Sequence, residues 1–218
     1  LGISLDEARK AIHITPHIPA AWNYFAIENL SAFGGKYDIV FRRTEGSLWF
    51  NVAGDQNPCT LDFSIALSKH ANILGASLKN RKLPYKIEQT AQDQHVNVQL
   101  QAPRNISRVV DQVWQTLQIN AAGDFGLAAD ADLPPLGSAS GNLKIFHEEW
   151  SADRRQLTVK LSGLPGRKYD LRAYGAKIGS INGGELKQSA SGNQVIEIAI
   201  PAANDNQKYV EHEIAIRF

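Results

Sequence analysis

Leu61-Asp62-Phe63-Ser64-Ile65-Ala66-Leu67 sets a large apolar residue at every second position and a small or polar one between. Side chains on a strand point alternately to opposite faces, so this stretch reads as a strand with one face in a core and the other toward solvent. The same period returns along the chain in Val96, Val98 and Leu100, in Leu157, Val159 and Leu161, in Ile196, Ile198 and Ile200, and in Ile214, Ile216 and Phe218. Between such runs stand clusters that tolerate tight or left-handed backbone: Gly54-Asp55-Gln56-Asn57-Pro58, Asn80-Arg81, Ser162-Gly163, Asn182-Gly183-Gly184 and Ser191-Gly192-Asn193. Short strands separated by turns predict a mainly β fold of two antiparallel β-sandwich units, immunoglobulin-like or jelly-roll-like, with at most one or two short helices. A parallel βαβ fold does not fit, because helical stretches of the necessary length between strands are mostly missing.

Two segments depart from the strand period. Ile106, Val109, Val110, Val113, Trp114 and Leu117 recur at offsets of three and four, which predicts a helix over 106–118; a long twisted strand from Arg108 to Ile119 competes with it. Ser4 and Glu7 have capping-box spacing, which marks Ser4 to Arg9 as a second, weaker helical candidate. The stretch 121–141, rich in Ala, Gly, Asp, Pro and Ser and containing Pro134-Pro135, reads as a linker. It separates a unit over 1–120 from a small antiparallel unit over 142–218.

Composition narrows the function classes. The 218 residues are 43% hydrophobic and 21% charged, and 23 basic against 22 acidic residues leave a net charge of +1. No single-sign field is present to hold a phosphate backbone, so no nucleic-acid partner is expected. Lys79, Arg81 and Lys82, and Arg154 with Arg155, read as solvated turns. No apolar run approaches the roughly 20 residues that span a bilayer, so no membrane partner is expected either. Cys59 is the single cysteine, which rules out an intrachain disulfide and a thiolate metal cluster. Methionine is absent, even at position 1, and no signal-peptide pattern opens the chain. A larger polypeptide preceding Leu1 is the expectation, although removal of a leader would look the same.

Ile14, Pro16, Ile18-Pro19, Trp22, Ile27, Asn29-Leu30, Gly34 and Tyr37-Asp38-Ile39-Val40-Phe41-Arg42-Arg43 form a connected pattern. It resembles the segment that follows the barrel in bacterial six-hairpin, (α/α)6-type glycoside hydrolases and glycogen-debranching-like proteins. Leu161 to Arg172 is similar to the small β-domain hairpin that closes such proteins. The resemblance is best over residues 10–105 and thinner beyond 140. It implies a catalytic barrel of the same polypeptide as partner, with the acid and base carboxylates in that barrel. It also implies that Pro16, Pro19 and Trp22 link sandwich to barrel, and a periplasmic or extracellular location.

The residues show no catalytic centre of their own. Glycoside hydrolysis needs two carboxylates flanking one bond. Asp6/Glu7 and Glu148/Glu149 are adjacent and point to opposite faces of a strand, whereas Glu211 and Glu213 share a face and read as the polar side of the last strand. Asp130 and Asp132 lie in the linker. Of the histidines, only His13 and His17 have ligand spacing, and Pro16 interrupts any helix that would align them, so no metal site is expected. A Ca²⁺ site from Asp124, Asp130 and Asp132 is the alternative. Cys59 follows Pro58 with no His or Asn partner in view, and Gly34-Gly35 and Gly183-Gly184 do not lie between a strand and a helix, so neither a nucleophile nor a phosphate cradle is indicated. No cofactor is expected.

Sugar rings stack on exposed aromatics, which makes the tryptophans candidates. Leu48, Phe50 and Val52 take one face of their strand, leaving Trp49 with Asn51 on the other, as a glycan platform, a contact with another domain, or part of a second buried face. Trp150 ends a strand near a turn and is a further contact candidate; Trp114 fits a core stripe and Trp22 a structural plug. The expected function is a non-catalytic C-terminal accessory region of a larger carbohydrate-active protein, packing against and stabilising an (α/α)6 barrel, with polysaccharide as a further partner. The alternatives are a carbohydrate-binding module and a cell-surface adhesion-type sandwich.

Overall fold

The structure, a computed structural model, describes residues 2–54, 59–102, 115–130, 132–138, 140–188, 194–203 and 208–218. Among these residues there are strands and no helix, and the chain divides into two compact units, Leu1–Asp124 and Phe125–Phe218.

The first unit holds β1 (Ile3–Asp6), β2 (Ala11–Ile14), β3 (Tyr24–Ala32), β4 (Gly35–Thr44), β5 (Ser47–Gly54), β6 (Thr60–Ser68), β7 (Asn72–Leu78), β8 (Arg81–Leu83), β9 (Lys86–Gln89), β10 (Asp93–Gln101) and β11 (Gln115–Ala122). They form two sheets, in the order β1-β2-β6-β10-β9 and β3-β4-β5-β11-β7-β8. All pairs are antiparallel except β2 with β6, which run parallel and depart from the purely antiparallel expectation. Alternation builds the core: Leu61, Phe63, Ile65 and Leu67 of β6 and Val96, Val98 and Leu100 of β10 are buried with Ile39 and Phe41 of β4, Leu48, Phe50 and Val52 of β5, and Leu117 and Ile119 of β11. A run of rings links the sheets, with Phe25, Phe41, Phe50 and Phe63 in contact at successive centroid distances of 5.0, 5.2 and 5.2 Å. Each fully buried ring or Leu contributes about 1.5–3 kcal/mol relative to exposure.

The second unit holds β12 (Phe125–Ala129), β13 (Lys144–Trp150), β14 (Gln156–Gly163), β15 (Lys168–Gly175), β16 (Ser180–Asn182), β17 (Glu185–Gln188), β18 (Gln194–Ala199) and β19 (Val210–Arg217). Its sheets run β12-β15-β18-β17 and β13-β14-β19-β16. Leu157, Val159, Leu161, Leu171, Ile196, Ile198, Ile214 and Ile216 fill the space between them. Gly163 is needed there, because a Cβ would stand 2.8 Å from both Ile200 Cγ1 and Tyr169 Cε2.

Where the two helical candidates fall on described residues, strand pairing takes the place of a helix. Gln115 to Gln118 lie in β11, which is hydrogen-bonded to β5 on one side and β7 on the other. Two ladders and the burial of Leu117 and Ile119 outweigh spacing that also suits a helix. The remainder of that candidate, including Trp114, lies outside the described residues. Ile3–Asp6 is strand β1, paired with β2 through a turn in which the Asp6 carboxylate accepts the Arg9 N–H at 3.0 Å. The expected linker at 121–141 instead contains the end of β11 and all of β12, since β15 offers β12 a full pairing edge and Phe125 is buried in the second core. Turn residues 55–58 and 191–193 also lie outside the described residues.

Candidate functional site

The outer face of the β3-β4-β5-β11-β7-β8 sheet presents Trp49 and Asn51, opposite the buried Leu48, Phe50 and Val52, as the alternation predicts. Strand register places Tyr24, Arg42, Trp49, Gln118, Ser77 and Lys82 directly opposite one another in a row across all six strands. The Arg42 guanidinium lies 5.9 Å from the Tyr24 ring centre, and Trp49 Nε1–H donates to Thr44 Oγ1 at 3.3 Å. The polar groups beside Trp49 satisfy each other: Thr116 donates to Asn51 at 2.7 Å, and Ser47 and Gln118 both donate to Asn120, at 2.8 and 2.7 Å. Trp49 is therefore half-buried among fixed amides and hydroxyls.

Pro16 is buried and Pro19 exposed, while Trp22 is 48% exposed within this chain. Arg43 shapes this segment: its Nη1 donates to the carbonyls of Ala20 and Pro19 at 2.9 and 3.4 Å, and its N–H donates to Asn23 O at 2.8 Å. Burial pulls the Arg43 pKa down, opposed by the charge of Asp124. Trp22 and the 57% exposed Tyr24 thus stand outward on an anchored turn. Trp150 belongs elsewhere. It stacks on Phe218 at 5.5 Å and meets Phe125 edge-on at 6.3 Å, packing against the core of the second unit rather than offering a free ring face.

The outer face of the β1-β2-β6-β10-β9 sheet gathers groups that the sequence leaves scattered. Asp93 and His95, two apart on β10, share that face. His17 reaches them from the segment after β2: its Nε2 lies 3.5 Å from Asp93 Oδ2, and His95 Nε2 lies 3.3 Å from Asp93 Oδ1. The two imidazoles meet edge-on at 5.4 Å. The parallel pairing of β2 with β6, which ends with Ile14 opposite Phe63, delivers the chain to the end of this sheet where β6 and β10 pair through Ala66 and His95. His95 is only 9% exposed despite its outward direction.

The other candidates separate. His13 turns to Asp62 at 3.4 Å and Asp6 at 4.0 Å, away from His17's partners. Asp124 accepts the Ser68 N–H at 2.9 Å and Asp130 pairs with Arg172 at 2.9 Å, so two of the three carboxylates of the Ca²⁺ alternative are engaged in their own units. Burial pushes the Cys59 thiol pKa up, against a hydrogen bond with Tyr37, which suits a structural thiol rather than a nucleophile. Glu211 and Glu213 are exposed along β19, and burial raises the pKa of Glu148. The His17–Asp93–His95 group is the one cluster of this kind among the described residues, and a search for paired histidines misses it. The available signal is Asp93-Gln94-His95, a carboxylate and an imidazole two apart on a strand.

No family model matches the chain, and no curated protein or solved structure does so either.

Proposed function

We propose that this chain is the non-catalytic accessory β region of a larger carbohydrate-active protein, where it packs against and stabilises an (α/α)6 catalytic barrel of the same polypeptide. The observation that carries this reading is the pair of exposed rings, Trp22 and Tyr24, on a turn that Arg43 holds in place. Each leaves on the order of 100 Å² of ring in water, and covering that area is worth about 2–3 kcal/mol per ring. The pair falls at the end of the Pro-rich segment that the family resemblance assigns to the junction with the barrel. In this reading the protein works in the periplasm or outside the cell.

The test is the coding sequence upstream of Leu1, followed by Trp22→Ser and Tyr24→Ser in the joined polypeptide. Helical hairpins upstream, together with a loss of thermal stability in the joined polypeptide that exceeds the loss in the isolated chain, are the expected outcome. An upstream sequence without paired helices, or equal effects in the two contexts, overturns the reading.

The outer-face row favours a second reading, a glycan platform. Tyr24 and Trp49 are two strands apart on one face, about 10 Å, which is the length of a disaccharide. Calorimetry against a panel of soluble plant and bacterial polysaccharides checks it. Binding abolished by Trp49→Ala supports it, and silence across the panel removes it.

A further inference from the structure

We propose that His17, Asp93 and His95 bind one divalent transition-metal ion of the zinc type. The inference stands on this cluster alone and does not depend on the carbohydrate reading.

Two imidazole nitrogens and one carboxylate oxygen, all within 4.8 Å of one another, are the donor set of a three-ligand site. Tetrahedral zinc at about 2.0–2.2 Å from its ligands requires them to be about 3.3–3.5 Å apart. His95 Nε2 lies 3.3 Å from Asp93 Oδ1 and His17 Nε2 lies 3.5 Å from Asp93 Oδ2, so each imidazole already stands at that edge length from one of the two carboxylate oxygens, and converging on a shared oxygen closes the set. Small movements of the exposed His17 ring, whose side chain is 65% open to solvent, would complete the convergence. The open side leaves the fourth position to water. Calcium and magnesium prefer oxygen-only shells, so two imidazoles select against them.

The groups behind these donors are arranged as metal ligands require. His95 Nδ1 is hydrogen-bonded to Ser64 Oγ at 2.9 Å, which orients Nε2 toward the cluster. Thr90 Oγ1 donates to Asp93 Oδ1 at 2.5 Å and accepts the Asp93 N–H at 3.0 Å, holding the carboxylate. Gln94, between the two ligands, is buried on the core side and donates to the carbonyls of Ser68 and Ala71 at 2.9 and 2.6 Å, which fixes the start of β10. The pair on β10 is thus preorganised, and the ion would tie the segment carrying His17 onto it. With neutral imidazoles the cluster carries the single negative charge of Asp93, which attracts a cation. A plain imidazole–carboxylate ion pair is the competing explanation of the same distances, and it predicts no metal affinity.

The test uses the whole chain, stripped with chelator and titrated with Zn²⁺ by calorimetry, with Co²⁺ substitution as a spectroscopic check. The expected result is one Zn²⁺ per chain, visible Co²⁺ bands of four-coordinate intensity, and a thermal midpoint that rises with Zn²⁺ and returns with chelator. His17→Ala, which truncates a side chain 65% open to solvent and leaves Pro16 and Ile18 in place, weakens binding by at least about 100-fold. Ser64→Ala weakens it by about 10-fold, through orientation of His95. His147→Ala, an exposed histidine of the other unit, leaves it unchanged. Absence of stoichiometric binding overturns the proposal, as does binding that His17→Ala leaves intact or that His147→Ala weakens equally.

Discussion

In the N-terminal unit, the outer face of the β1-β2-β6-β10-β9 sheet brings two imidazoles and one carboxylate together in His17, Asp93 and His95. In the C-terminal unit, the charges on the β12-β15-β18-β17 sheet are spent on one another. Glu197 lies between Lys168 and Lys187 at 2.9 and 2.6 Å, and Arg172 meets Asp130 at 2.9 Å. Both units are two-sheet sandwiches with aliphatic and aromatic interiors made by the same alternation. The difference teaches that core formation and site formation draw on different halves of the pattern. Inward positions need only be apolar and of suitable volume, while outward positions are free to hold either neutralised pairs or groups with capacity to spare.

The strongest way to test the likeness of the cores is truncation. Phe50→Ala removes the middle of the ring chain between the first unit's sheets and is expected to cost about 3–5 kcal/mol; Leu161→Ala in the second unit is expected to cost about 2–5 kcal/mol. Urea unfolding measures both, and a loss below 1 kcal/mol in either would break the equivalence. Gln94→Ala comes next. It removes the buried amide that holds the Ser68 and Ala71 carbonyls and is expected to cost about 1–3 kcal/mol by the same measurement.

Smaller effects distinguish the charged groups. Burial raises the pKa of Glu148 above its unfolded value, so the folded state loses stability as pH rises from the unfolded pKa to the folded one. Glu148→Gln is therefore expected to raise the thermal midpoint at neutral pH and to match the native chain in acid; a lower midpoint at neutral pH would contradict the burial. Lys168 and Lys187 hold Glu197 down to about 2 from 4.5. Its contribution is complete above the unfolded value and is lost as pH falls toward 2. Both lysine partners stand open to solvent, so Glu197→Gln is expected to shift the midpoint only slightly, less at high salt, and a salt-independent effect would argue against ion pairing.

The alternation in Leu61 to Leu67 announced which residues would be buried, and the split of Trp49 from Leu48 and Phe50 followed from the same two-residue period. Leu117 misled because its spacing from Val110 and Val113 suits a helical face, while its strand identity depends on two neighbours distant in sequence. Ala- and Gly-rich composition likewise hid β12, which exists because β15 supplies an edge.

Local sequence by itself determined the β class and the inward faces of the clearly alternating strands, because side-chain alternation is a property of a single strand. Tertiary structure alone decided that His17 meets Asp93 and His95, that His13 goes instead to Asp62, and that Trp22 faces outward. Those outcomes depend on register between strands far apart in the chain and on a parallel β2–β6 pairing, which no periodicity within one strand encodes.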